Sequence, residues 1–153
     1  MFSIFKRKKP KLSELISDGF IDIHSHILPG IDDGAKDLKE SENMIFRMNE
    51  LGFSKIIATP HTYPGLYENT NETIKETFQM FSKNINLPIK VDYASEYMID
   101  HSLIEKSEKK SLLTIKKNYV LVEMSYVGSP LNLHEIIFSL RTNDYIPILA
   151  HPE

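Results

Sequence analysis

The chain has 153 residues, 41% apolar and 25% charged, an ordinary globular balance with enough length for one domain with a real core. A net charge of −3 gives no reason to expect a nucleic-acid partner, and the absence of Cys excludes disulfides, zinc–thiolate sites and a cysteine nucleophile within these residues. The sequence has no apolar run long enough to read as a membrane span. Residues 1–19 read as a basic tail and lead-in, and residues 20–153 as one domain. Met1 to Lys11 lacks the apolar core and cleavage site of a signal peptide, so a cytoplasmic location is expected. That tail reads as solvated. A weak membrane-surface contact through Phe2, Ile4 and Phe5, with the lysines meeting anionic headgroups, is the lesser reading.

Leu12 to Gly19 suggests a short helix. Ile21 to Ile27 then reads as a strand. Alternation puts His24 and His26 on one face, where two imidazoles can share one ion, and Ile21, Ile23 and Ile27 on the other, where they can pack. Pro29 and Gly30 end the strand, and Asp32 and Asp33 follow in a turn before Gly34, within reach of a further ion. Asp37 and Glu40 have capping-box spacing. The helix they open runs to Leu51, with Leu38, Ile45, Met48 and Leu51 on one stripe and Gly52 as its cap. Ser54 to Thr59 is a second strand, stopped by Pro60 and followed at once by His61. The loop from Thr62 to Thr70 is rich in turn and aromatic residues. Tyr63 and Tyr67 either flank a substrate there or simply fill the loop.

A second long helix spans Asn71 to Asn84 and buries Ile74, Phe78, Phe81 and Ile85. Ile89, Val91 and Tyr93 alternate in a third strand, with Glu96 just beyond it. A short helical piece covers Ser102 to Ser107. Tyr119 to Met124 is a fourth, nearly all-apolar strand that nonetheless carries Glu123. Asn132 to Thr142 is a helix burying Leu133, Ile136, Ile137 and Leu140. Tyr145 to Ala150 is a fifth strand, ending in His151. The Asn71-Glu72-Thr73 triplet matches a glycosylation acceptor that a cytoplasmic protein does not use, and His101 and His134 read as surface residues.

Strands alternating with helices indicate an α/β fold with a parallel sheet and right-handed crossovers, whose working residues collect at the carboxyl ends of the strands. All five strands deliver a ligand-type residue there: His24 and His26, His61, Glu96, Glu123 and His151. Glu123 is the hardest to dismiss, because an unpartnered carboxylate inside an apolar strand costs several kcal/mol. Imidazoles and carboxylates without thiolates suit Mn, Fe or Zn. Closely spaced ions can bind a phosphate and lower the pKa of a bridging water, which then serves as the nucleophile. Residue types alone therefore point to a metal-dependent hydrolase, with a phosphoester the favoured substrate class.

Asp22-Ile-His-Ser-His26 followed by Leu28-Pro-Gly-Ile-Asp-Asp-Gly34 resembles the opening motif of the PHP (polymerase and histidinol phosphatase) superfamily. More narrowly, it resembles the bacterial tyrosine phosphatases of capsule and exopolysaccharide operons, the CpsB/YwqE type. Thr59-Pro-His61, Gly65-x-x-Glu-Asn-Thr70, Ser95-Glu-Tyr97, Leu121-Val-Glu123 and Ala150-His-Pro-Glu153 support it in order. The resemblance implies a distorted β/α barrel, of which this chain carries a five-stranded part, and a site of up to three ions, most often manganese. It implies that His24 and His26 bind one ion and that Asp33 and His61 bind another. Glu96 and Glu123 bind or bridge ions, and His151 completes a site. The implied reaction is hydrolysis of phosphotyrosine on a protein, typically the Tyr-rich tail of a bacterial tyrosine kinase.

Two alternatives stand beside this reading: a PHP phosphatase for a small ester such as histidinol phosphate, and a non-catalytic metal-binding or kinase-binding fragment. β/α barrels typically take about 250 residues. The family's arginine after the His-Pro-Glu motif and its late Asp-x-His are not among these 153. The resemblance thus leads us to expect the N-terminal three-fifths of a phosphatase, with an open strand edge, self-association, weak metal binding and little turnover by the chain as written.

Overall fold

A computed structural model describes residues 9–16 and 19–152. Phe2, Ile4 and Phe5, expected at a membrane surface, lie outside the described residues, as does Glu153. The lead-in helix is shorter than expected, α1 at Leu12–Leu15. It is followed by β1 (Phe20–Ser25), α2 (Leu38–Glu50), β2 (Phe53–Ala58), β3 (His61–Thr62), α3 (Asn71–Asn84), β4 (Lys90–Tyr93), β5 (Glu96–Met98), α4 (Ser102–Glu108), β6 (Tyr119–Glu123), α5 (Leu133–Thr142) and β7 (Ile146–Leu149). Among the described residues no helix is long and apolar enough to cross a membrane.

The strands form two parallel sheets, in the orders β1-β2-β4 and β3-β5-β6-β7. The second and third expected strands are β2 and β4, and each is followed, past a break, by a short strand that was not expected, β3 after β2 and β5 after β4. Pro60 explains the break, since it has no N–H to give to a ladder. The two chains bend together there. Ala94 N donates to the Ala58 carbonyl (2.8 Å) and Glu96 N to that of Pro60 (3.1 Å). The buried Ser95 hydroxyl also donates to the Pro60 carbonyl (3.0 Å) and lies 2.7 Å from Thr62 Oγ1. The bend corrects the placing of Glu96, which opens β5 rather than trailing the third strand in a loop.

One core cluster joins the first sheet to α2 and α3 through Ile27, Leu28, Ile45, Ile56, Ile74, Phe81 and Val91. The other joins the second sheet to α4 and α5 through Tyr97, Leu103, Val120, Val122, Ile136 and Leu140. Three expected core residues, Phe78, Leu133 and Ile137, are only partly buried at the margins of these clusters. Ile27 packs as expected, but Ile21 and Ile23 are exposed: β1 is a sheet edge, and its outer face stays open.

Local signals hold with two refinements. Asp37 caps α2 by accepting from Glu40 N, whereas the Glu40 carboxylate accepts from Lys36 N rather than closing the box. Leu51 is the C-cap of α2, and Gly52 is the left-handed residue after it (φ +100°), the position where glycine relieves the Cβ clash. Pro147 sits in β7, an edge strand, where a missing N–H is tolerated.

Candidate metal centre

The strand ends bring the expected histidines and carboxylates together. His24 lies in β1 and His26 just past it; His61 opens β3, Glu96 opens β5 and Glu123 closes β6. Glu96 is the hub. Its side chain is fully buried, and its Oε2 lies 3.1 Å from His24 Nε2, 3.3 Å from His26 Nε2 and 3.2 Å from His61 Nδ1. Glu123, also buried, places Oε1 2.7 Å from His61 Nδ1. Asp33 reaches the cluster from the exposed turn, 3.5 Å from His61 Nε2. Among the described residues, three groups have ligand atoms within 4.8 Å of one another: His24, His26 and Glu96; His26, Asp33 and His61; His61, Glu96 and Glu123.

His151 stands apart. It lies at the rim, half-exposed and in a left-handed backbone conformation (φ 49°), with Nε2 3.7 Å from Glu96 Oε1 and its ring 4.9 Å from that of His24. The sequence reading put Asp32 in the turn within reach of an ion but not against His26; its side chain is fully buried. Asp32 Oδ2 accepts from His26 Nδ1 (2.8 Å) and His61 N (3.2 Å), and its Oδ1 accepts from Gly34 N (2.9 Å). A carboxylate only accepts, so Asp32 fixes the His26 proton on Nδ1 and leaves Nε2 facing Glu96 and His24. Adjacent Asp residues were visible in the sequence, but nothing in it says which one turns inward. Asn69 was missed; its amide donates to the carbonyls of Ile31 and His61 (2.8 Å each), tying the two site loops together. The Tyr67 ring stacks on His61, with 5.3 Å between centroids and 10° between planes.

Electrostatics follow from this crowding. Burial opposes charge on His26, but contact with Asp32 and Glu96 outweighs it and raises the imidazole to about 10. Burial likewise opposes the Glu96 charge, yet the close imidazoles of His24 and His26 bring its carboxyl down to about 2. His61 is raised against burial by Glu123, and Asp32 is lowered against burial by His26.

The short contacts still lack hydrogen-bond geometry. Among the described residues four buried atoms, His61 Nδ1, both oxygens of Glu96 and Glu123 Oε1, have no hydrogen-bond partner. Native proteins rarely leave buried polar atoms unpartnered, and a cation is what satisfies convergent lone pairs of this kind. The donor set and the orphaned atoms therefore fit a bound metal.

The expected surface residues behave as read. His101 and His134 are exposed, and Asn71 spends its amide on the Ser111 carbonyl at the start of α3, where Thr70 and Thr73 form the cap.

Comparison with known proteins identifies the family. Residues 20–153 match the family described as "Capsular polysaccharide synthesis, CpsB/CapC". The chain is 34% identical to the tyrosine-protein phosphatase YwqE of Bacillus subtilis and 31% identical to the tyrosine-protein phosphatase CpsB of Streptococcus pneumoniae, in each case over 87% of its own length. It covers 54% and 56% of those proteins, so it spans about half the length of the curated relatives it matches. A solved structure from work on YwqE of B. subtilis and CpsB of S. pneumoniae, described as unique metal-dependent tyrosine phosphatases, superposes with a TM-score of 0.78 at 33% identity. That superposition covers 87% of this chain and 56% of the other. On its motifs, its fold and its match over residues 20–153, the chain belongs to the CpsB/CapC family of capsular polysaccharide synthesis proteins.

Proposed function

We propose that this chain carries the metal-binding portion of a metal-dependent protein-tyrosine phosphatase, on a PHP-type β/α barrel of which the five parallel ladder positions form part. The observation that carries the reading is the set of four orphaned buried atoms on His61, Glu96 and Glu123, beside three overlapping ligand groups. His24, His26 and Glu96 would hold one ion; Asp33 and His61, with His26 alongside, a second; His61, Glu96 and Glu123 a third, with His151 reaching in from the rim. Manganese suits this donor set, as do iron and zinc. Bound ions supply Lewis acidity that neutralises charge on a phosphate and makes water a nucleophile near neutral pH. The protein's own residues do the placing: Asp32 orients His26, Tyr67 backs His61, and the Ser95–Pro60 bond fixes the bend that brings His61 to Glu96. The substrate is phosphotyrosine on a protein, a tyrosine kinase of the same capsule system being the partner of choice, and the setting is cytoplasmic.

The test is hydrolysis of a phosphotyrosine peptide beside histidinol phosphate by a form of the protein that spans the length of its relatives, with Mn²⁺ added. Turnover of the peptide should vanish with chelator and survive thiol alkylation. Turnover confined to histidinol phosphate, or survival with chelator, would overturn the reading. Glu123→Gln keeps the side-chain volume but weakens the ligand, and should reduce bound metal while shifting the metal-free unfolding midpoint little. Wild-type metal content in this variant would make Glu123 a structural carboxylate.

Asp32→Asn tests orientation separately. The amide removes the charge that Asp32 sets against His26, and because both Asp32 oxygens also accept from backbone N–H groups, of His61 and Gly34, it leaves one of those bonds unmade whichever way it turns. Metal affinity should fall about 10–100-fold, as for other partners that orient a ligand. Titration of the metal-free chain, followed in long-range ¹H–¹⁵N spectra, should show the His26 imidazole giving up its proton at lower pH than in the wild type, because Asp32 helps hold it there. An unchanged titration and affinity would mean that the ring is held by other contacts.

A further inference from the structure

One cavity of about 490 Å³ reaches the ligand cluster, and its lining divides sharply. His61 and Glu123 lie deep within it, their side chains 13% and 7% exposed. Leu66, Tyr126 and Val127 also line it, and they are 61%, 92% and 99% exposed. They come from two separate loops. Leu66 sits at the tip of a tight turn closed by paired backbone bonds between Tyr63 and Tyr67 and made possible by Gly65 (φ +84°). Tyr126 and Val127 come just past β6, after Glu123, Met124 and Ser125. Large apolar side chains scattered singly over a surface need no explanation, but here they gather at the mouth of a cavity whose inner lining is ionisable.

Resting on the phosphatase reading above, we propose that Leu66, Tyr126 and Val127 form the walls of an aryl slot and are specificity-determining residues for phosphate esters of a phenol over those of an aliphatic alcohol. The exposure gradient gives the cavity depth. A phosphate at the ligand cluster must be carried there by a linker that crosses the apolar mouth. An aromatic ring fits that role twice: it is long enough to keep the main chain of a protein substrate outside, and its faces replace water against the apolar walls. A phosphoserine ester, one methylene from its main chain, gains little from those walls and must bring its backbone into them, which disfavours it. Tyr67, stacked on His61, continues the wall inward, so the apolar lining reaches the ligands without interruption.

The experiment needs no turnover. Binding of phenylphosphonate and methylphosphonate to the manganese-loaded chain is measured by calorimetry for the wild type, for Leu66→Ser/Tyr126→Ser and for Leu131→Ser. Leu131 is an exposed apolar residue on the segment after β6 that does not line the cavity, and so serves as the control. Wild type and Leu131→Ser should prefer the phenyl compound by at least about tenfold, the return on burying one ring face. The double variant should lose most of that ratio. No preference in the wild type, a ratio unchanged in the double variant, or equal loss of both ligands there would overturn the slot while leaving the phosphatase reading intact. Failure of the chain to take up manganese, or of the loaded chain to bind either phosphonate, would overturn the phosphatase reading and the slot with it.

Discussion

Gly34→Ala is expected to be the most damaging single substitution in the opening motif, costing more than about 4 kcal/mol, the far tail of single-residue effects. A Cβ at Gly34 would lie 2.0 Å from the His26 carbonyl oxygen, 2.4 Å from His26 Cβ and 2.8 Å from its carbonyl carbon. None of these is the free end of a flexible side chain. The constraint is space rather than backbone conformation, since the loop is folded directly onto the end of β1. Ala35 N donates to the His26 carbonyl (3.0 Å) and Gly30 N to that of Ala35 (2.7 Å). Relief requires the loop to lift away, taking Asp32 from His26 and Asp33 from His61. Denaturant unfolding of the metal-free chain and a metal titration check the two consequences together. A destabilisation below about 1 kcal/mol, an ordinary value for a single substitution, with unchanged metal binding would show that the loop moves without cost to the site.

Glu96→Gln should have the largest effect on the metal centre. Glu96 belongs to two of the three ligand groups and meets three imidazoles at 3.1–3.3 Å through one oxygen. Removing a partner that only orients a ligand costs about 10–100-fold in affinity, so loss of a shared charged ligand should cost more than about 100-fold. On the proposed function, phosphatase turnover by a form that spans the length of the relatives should fall at least about a thousandfold, since several kcal/mol of charge stabilisation would depend on the ions. The metal-free chain gives an independent readout. The Glu96 carboxyl is held at about 2, below its ordinary value of 4.5, so the stability it contributes is full above 4.5 and is lost as pH falls through about 2. The variant should lack this portion of the acid dependence. Near-wild-type metal stoichiometry together with an unchanged acid profile would remove Glu96 from the centre of the site.

Much of this was written in local sequence. Strand alternation placed His24 beside His26, and their Nε2 atoms lie 3.3 Å apart. Glu123 in an apolar run signalled a carboxylate with a purpose, because burial without a partner is costly. Apolar periodicity marked α2, α3 and α5, and the absence of Cys together with the His and Glu strand ends selected the class of ion. These features depend on residue type and on spacing within one element, which a linear chain displays directly.

What tertiary structure alone decided depends on residues far apart in the chain. The shared bend at Pro60 and Ser95 added a short strand beyond each of two expected ones and turned Glu96, read as lying just past a strand end, into the buried hub. That outcome required a ladder between segments more than thirty residues apart. Asp32 and Asp33 are neighbours of one type, yet the loop's docking on His26 buries the first as an orienting partner and leaves the second exposed toward His61. Ile21 and Ile23 read as core because alternation reports a face, whereas whether that face is covered depends on β1 lying at a sheet edge. His151 reaches only the rim because its approach is set by β7 and a left-handed backbone at its own position, neither of which its place in the sequence reveals. Composition and periodicity thus determined which kinds of ligand this chain can offer, and long-range pairing decided which of those side chains converge.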